Sequence, residues 1–78
     1  MFPPDRARQL IEAALPDCTA VVESDDGEHF QARVVSSAFV GKHLPAQHRM
    51  VYAALGEIVG REMHALALRT FTPEQWQG

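Results

Sequence analysis

Two stretches decide the fold of this chain: His29-Phe30-Gln31-Ala32-Arg33-Val34-Val35-Ser36 and Met63-His64-Ala65-Leu66-Ala67-Leu68-Arg69-Thr70. In the first, Phe30, Ala32 and Val34 alternate with Gln31 and Arg33. In the second, His64, Leu66, Leu68 and Thr70 alternate with Ala65, Ala67 and Arg69. A period of two sends one set of side chains to a core and the other to solvent, so both read as half-buried strands. The intervening residues 37–63 contain a helical pattern, which a parallel crossover needs and a tight antiparallel return does not. The two strands are therefore expected to be parallel neighbours. Their first residues, His29 and His64, would then lie at one end of the sheet, beside an acidic hairpin turn.

Working outward from these strands, Ala20-Val21-Val22 leads into Asp25-Asp26-Gly27-Glu28. Asp-Gly between apolar runs is a strong hairpin signal, which makes the preceding strand antiparallel to the first stretch. Further upstream, Pro3-Pro4-Asp5 suits a helix start, with proline in the first turn and acid at the positive end of the dipole. Ala7, Leu10, Ile11, Ala14 and Leu15 then recur at helical spacing over residues 5–15, and Pro16-Asp17 ends the run. Downstream, Phe39 to Pro45 reads as a loop or a broken short helix. Pro45 can open a longer helix with Val51, Tyr52, Leu55, Ile58 and Val59 as its apolar stripe, running through Gly56 to a left-handed terminus at Gly60. Thr72-Pro73-Glu74-Gln75 has the pattern of a helix start with a capping box, so a short terminal helix carrying Trp76 against the core is expected. The whole chain, residues 1–78, reads as one α/β (α+β) domain with a three-stranded mixed sheet.

Composition narrows the function. The chain has 78 residues, 46% hydrophobic and 22% charged, with one cysteine and four histidines. A single cysteine excludes an internal disulfide, so apolar packing must hold the domain, alone or with a partner. Cys18, near the start of the first strand, reads as a small buried hydrophobe. No apolar run approaches the ~20 residues of a membrane span, and no basic segment followed by an apolar run opens the chain. A soluble cytoplasmic protein without membrane contact is the expectation. The net charge of −3 is uneven. Residues 1–40 carry three arginines against seven carboxylates, and residues 41–78 carry four basic groups against three carboxylates. An acidic chain lacks the overall attraction behind non-specific duplex binding, so DNA would have to use a local patch, of which Lys42, His48 and Arg49 are the candidates. Ser36-Ser37 has no neighbouring base, no carboxylates pair evidently, and no glycine-rich phosphate loop is present. The chain is not expected to be an enzyme.

His29 and His64 are the candidates for metal chemistry. Two neutral imidazoles can hold iron, zinc or copper, yet two ligands do not complete a coordination sphere. No CxxC and no HExxH supplies the rest, so water, a substrate or another protein would have to. On spacing alone, a solvated turn histidine and a strand-edge histidine donating to a carbonyl are the more economical readings.

The segment Gln47-His48-Arg49-Met50-Val51-Tyr52-Ala53-Ala54-Leu55, followed by His64-Ala65-Leu66-Ala67-Leu68 and Thr72-Pro73-Glu74-Gln75-Trp76, resembles the BolA family. Asp26-Gly27-Glu28-His29-Phe30 and Phe39-Val40-Gly41 match its earlier segments in order. The short hairpin resembles the IbaG (YrbA) branch, associated with acid stress, more than BolA itself. The resemblance implies a KH-like αββααβα fold with helices packed on one face of the sheet. It implies a role in iron–sulfur trafficking with a monothiol glutaredoxin, sharing a bridged [2Fe–2S] cluster. It carries the cluster-ligand role onto His64 and, within the branch, onto His29. Thiolates from the partner's active-site cysteine and from glutathione would complete the site, and no cofactor is expected on the domain alone. Self-association into a homodimer is left open. The family has also been considered for transcriptional regulation. A KH nucleic-acid clamp uses a GxxG loop, whereas this chain has Gly41-Lys42-His43-Leu44.

Overall fold

In the computed structural model, which describes residues 2–77, the alternating stretch His29–Val35 forms the central strand, β2. It lies between β1 (Thr19–Glu23), which runs antiparallel to it, and β3 (Ala65–Phe71), which runs parallel. Helix α1 (Pro4–Ala14) precedes β1, and α2 (Leu44–Leu55) lies in the crossover between β2 and β3. Two 3-10 turns, Ser37–Phe39 and Gly56–Ile58, flank α2. This is the expected order as far as β3, with the expected parallel pairing of neighbours.

The register sorts the sheet into two faces. Ala20 pairs with Val34 and Val22 with Ala32, while Phe30, Ala32 and Val34 pair with Leu66, Leu68 and Thr70. These side chains form the inner face. Ala20, Phe30, Ala32 and Val34 cluster with Ala7 and Ile11 of α1 and with Val51 and Leu55 of α2. Both helices therefore pack on one side of the sheet. On the opposite face lie Thr19, Val21 and Glu23, then His29, Gln31, Arg33 and Val35, then Ala65, Ala67, Arg69 and Phe71.

Helix α2 buries Gln47, Val51 and Leu55, which are spaced by four and form one row. Gln47 is the polar member of that row, and the fold answers all of its hydrogen-bonding capacity that matters. Its Nε2 donates to the carbonyls of Phe39 (3.2 Å) and Lys42 (2.8 Å). Its Oε1 accepts from the Thr70 hydroxyl at 2.6 Å, across from β3. One amide thus ties the loop entering α2, the helix itself and the end of β3. Where the crossover leaves β2, the buried Ser36 hydroxyl donates to the Pro16 carbonyl (2.6 Å) and accepts from Ala38 N (3.1 Å).

Three details differ from the sequence expectation. Helix α2 stops at Leu55, because Gly56 takes φ +65° and its N–H bonds to the Tyr52 carbonyl. Ile58 and Val59 follow in a 3-10 turn and an extended residue and still pack on the core, while Tyr52 is 38% exposed and lies off the buried row. The final segment forms a single turn over residues 73–75, not a helix, although the Gln75 side chain does accept from Thr72 N (2.9 Å) as the capping box requires. Trp76 stacks edge-on against Phe71 at 5.3 Å. Phe71 belongs to the face away from the helices, so the indole covers the outside of the sheet and not the main core.

Because Gln47 and Thr70 satisfy one another in a buried setting, removing either strands a polar atom. Gln47→Leu and Thr70→Val should each lower the unfolding free energy by about 1–3 kcal/mol in urea titrations. The double variant should cost clearly less than the two effects combined, since the second change removes the atom the first left unpaired.

Candidate functional site

The sequence of the hairpin dictates the local geometry around His29. Asp26 forms an Asx-type turn in which its Oδ1 accepts from Glu28 N and His29 N, both at 2.8 Å. Its other oxygen, Oδ2, meets His29 Nδ1 at 2.7 Å. Ser24 braces the turn from behind: its hydroxyl donates to the His29 carbonyl (2.8 Å) and accepts from Gly27 N (2.9 Å). Gly27 sits at φ +77°, a conformation that glycine adopts without steric cost. The consequence for His29 is chemical. With Nδ1 engaged by Asp26, Nε2 is the nitrogen left to meet a metal or another acceptor.

His64 arrives at the same place by a different route. Residues 58–63 form a tight connection in which Met63 N bonds to the Ile58 carbonyl (3.0 Å) and Gly60 N to the Met63 carbonyl (2.8 Å). Met63 is fully buried and anchors the backbone immediately before His64. Ala65 N then donates to the Glu28 carbonyl (3.1 Å), and Ala65 stands opposite His29 in the parallel register. The two imidazoles meet edge to face, with ring centroids 5.8 Å apart. Both are exposed. A metal ~2.0–2.1 Å from one nitrogen of each ring would stand ~3 Å from each centroid, so this separation suits a shared ion or cluster edge. Asp26, Glu28 and His29 also present ligand atoms within 4.8 Å of one another.

The electrostatics of the hairpin favour charge separation. Backbone N–H donation from His29, together with the His29 ring, holds the Asp26 carboxyl well below the usual carboxylate range. The Asp26 carboxylate in turn raises the His29 imidazole above its ordinary value. Cys18 is of the opposite kind. Burial, reinforced by the Glu12 carboxylate, pushes its thiol up to about 11, so the chain's one cysteine is a poor thiolate donor.

Sequence spacing singled out His29 and His64, and the structure brings them together. The pattern Asp-x-x-His contained the signal for Asp26 as the partner of His29, but it was legible only as a turn. The alternative set is placed elsewhere. Lys42 is exposed in the loop before α2, Arg49 is exposed on the helix, and His48 is half-buried. Among the described residues, neither Lys42 nor Arg49 pairs with a carboxylate.

Since Asp26 favours the charged imidazole, Asp26→Asn should lower the pKa of His29. The Asp26–His29 ion pair stabilises the fold only where Asp26 is ionised and His29 protonated. Its contribution should fade as the pH rises through the elevated His29 pKa, and again as acid protonates Asp26. Tracking the His29 ring protons by NMR against pH, in both forms, checks the direction; an unchanged His29 titration would contradict it.

Comparison with known proteins agrees with this fold. The family model described as BolA-like protein matches residues 9–75. The chain is 39% identical over 57 residues to the DNA-binding transcriptional regulator BolA of Escherichia coli, covering 73% of this chain and 54% of that protein. A solved bolA homologue from Coxiella burnetii superposes with a TM-score of 0.83 at 37% identity, covering 95% of each chain. The BolA domain of SufE1 from Arabidopsis thaliana superposes with a TM-score of 0.79 at 33% identity, covering 94% of each. The match spans about half the length of the E. coli relative and 36% of mammalian BolA-like protein 1. With the model covering most of the sequence and the sheet topology in agreement, the chain belongs to the BolA-like family.

Proposed function

We propose that this protein is a cytoplasmic iron–sulfur adaptor that pairs with a monothiol glutaredoxin and shares a bridging [2Fe–2S] cluster through His29 and His64. The carrying observation is the convergence of two exposed imidazoles 5.8 Å apart at one end of the sheet. The donor set supports a partner-completed site. Two histidines leave a coordination sphere open, and the elevated thiol pKa of Cys18 leaves thiolates to be supplied from outside, by the partner's cysteine and by glutathione. The occurrence of a BolA domain within a protein named SufE1 fits the same chemistry. The short Asp26-Gly27 hairpin supports placement in the IbaG-like branch.

In this reading Asp26 orients His29 and keeps Nε2 free, as a carboxylate behind a ligating histidine commonly does. His64 is set by the buried Met63 and by the Ala65–Glu28 backbone bond. Histidine in place of thiolate removes negative charge, which tends to raise a cluster's potential. It also introduces a ligand that a proton can displace. The chain needs no catalytic group for this role; it binds and presents.

A second reading, DNA binding, has one observation in its favour: Lys42 and Arg49 are exposed and free of carboxylate partners among the described residues. It predicts duplex affinity that falls with salt, with a slope reduced by about two in a Lys42→Ala/Arg49→Ala variant. Fluorescence anisotropy with labelled duplex decides it.

The adaptor reading is tested by mixing the protein with a monothiol glutaredoxin, glutathione, ferrous iron and sulfide, then recording visible circular dichroism. A spectrum distinct from that of the glutaredoxin homodimer is expected, and it should be lost with His64→Ala. Asp26→Asn should reduce cluster retention about tenfold, as loss of such a supporting carboxylate typically does. A glutaredoxin spectrum unaltered by the protein would defeat the proposal.

A further inference from the structure

The sheet face turned away from the helices carries a feature that the histidine site does not use. Arg33 on β2 and Arg69 on β3 stand directly opposite one another in the parallel register. Like charges across a strand pair repel, so this arrangement is unfavourable unless something else compensates. No carboxylate does: among the described residues neither arginine forms an ion pair or donates a side-chain hydrogen bond to protein. Glu23 lies one row further along this face, opposite Gln31. What holds the arginines in place is aromatic. The Arg33 guanidinium lies 5.6 Å from the Trp76 ring, the Arg69 guanidinium 5.8 Å from the Phe71 ring, and the two rings pack against each other. A guanidinium stacked on a ring keeps its N–H edge free for an anion.

The same face is hollow between the arginines and the hairpin. Ala65 and Ala67 are the outward residues of β3 over that span, and they floor a groove walled by Glu23, Gln31 and His29. A second hollow continues it to Val21, Arg33 and Arg69. The groove is electrically polarised, positive at the Arg33–Arg69 row and negative at the end carrying Glu23, Asp25 and Asp26. From Arg33 to His29 is four residues of strand, ~13 Å, the reach of a short extended peptide.

We infer that this groove is a docking surface for an extended segment of a partner protein, with carboxylate side chains seated on Arg33 and Arg69 and basic side chains over the hairpin. The chemistry favours a peptide over a single-stranded nucleic acid. The ring faces that would stack bases are already occupied, Trp76 by Arg33 and Phe71 by Arg69. The acidic end would also repel a continuous phosphate backbone. The groove shares the hairpin with the cluster proposal, but its recognition rests on the arginine row and uses neither imidazole as a ligand.

Trp76 is the only tryptophan in the chain, so its fluorescence reports directly on the arginine row. The test titrates the full-length protein with a short peptide rich in glutamate in one half and lysine in the other. An all-glutamate peptide, a glycine–serine peptide and a thymidine oligonucleotide of equal length serve as comparators. The polarised peptide should bind tightest, shift Trp76 emission, and move the amide signals of Arg33, Ala67 and Arg69 in NMR spectra. Arg33→Gln and Arg69→Gln should each weaken it about tenfold, the ordinary loss for one charge-assisted hydrogen bond. Arg33→Lys should retain part of the affinity, and Lys42→Gln should leave it unchanged. These are exposed positions, and circular dichroism will confirm that the variants fold. Absence of a Trp76 response overturns the inference. So do tighter binding of the all-glutamate peptide or the oligonucleotide, and peptide-induced shifts confined to α2.

Discussion

The parallel pairing of β2 with β3 is the constraint on which the rest of the structure depends. A parallel neighbour cannot be reached by a tight turn, so the chain must leave the sheet, cross it and return to the end where β2 began. That excursion covers one face of the sheet with α2 and brings His64 back beside His29. The crossover is secured by a few satisfied polar groups at its corners, chiefly the Gln47 amide that joins Phe39, Lys42 and Thr70. A buried polar group of this kind adds modest net stability, but it penalises any other seating of α2, where its partners would be missing. The crossover thus holds the histidines in register from the opposite end of the strands.

The site itself is chemically unfinished in a consistent way. It offers two imidazoles on a solvent-exposed edge, one of them oriented and made more basic by Asp26. The cysteine is diverted into packing at the start of β1, where burial suppresses its ionisation. On the proposed reading, such a protein presents ligands and another molecule supplies the remainder. The outer face of the sheet extends the same character, since its arginine pair has no counter-charge among the described residues. Helices cover one side of the sheet, and on the other side the Phe71–Trp76 pair covers the far end.

Much of this was legible in the residues. Alternation in 29–36 and 63–70, an Asp-Gly turn and a helical stretch between the strands were sufficient for the mixed sheet, because each is a local pattern with a single economical reading. The match of Gln47 to Leu55 and of His64 to Trp76 to a known family pointed the same way. The misreadings have local causes. From the sequence Gly56 reads as a tolerated interior residue, yet at φ +65° it ends the helix. The Thr72-Pro73-Glu74-Gln75 pattern does form its capping bond, yet residues 73–75 make only a single turn. Gln47 carries no local signal, because the role of a polar residue in an apolar row depends on partners distant in the chain.

The sequence by itself determined the strands, the hairpin, the two helices and the placement of both histidines at strand starts, since periodicity and turn chemistry act over a few residues. Only the tertiary structure decided that the two rings meet edge to face with centroids 5.8 Å apart, that Asp26 takes Nδ1 of His29, and that Trp76 turns outward onto Phe71 and Arg33. These follow from register and packing between segments distant in the chain. Such distances depend on how the elements stack, and no local pattern of residues encodes them.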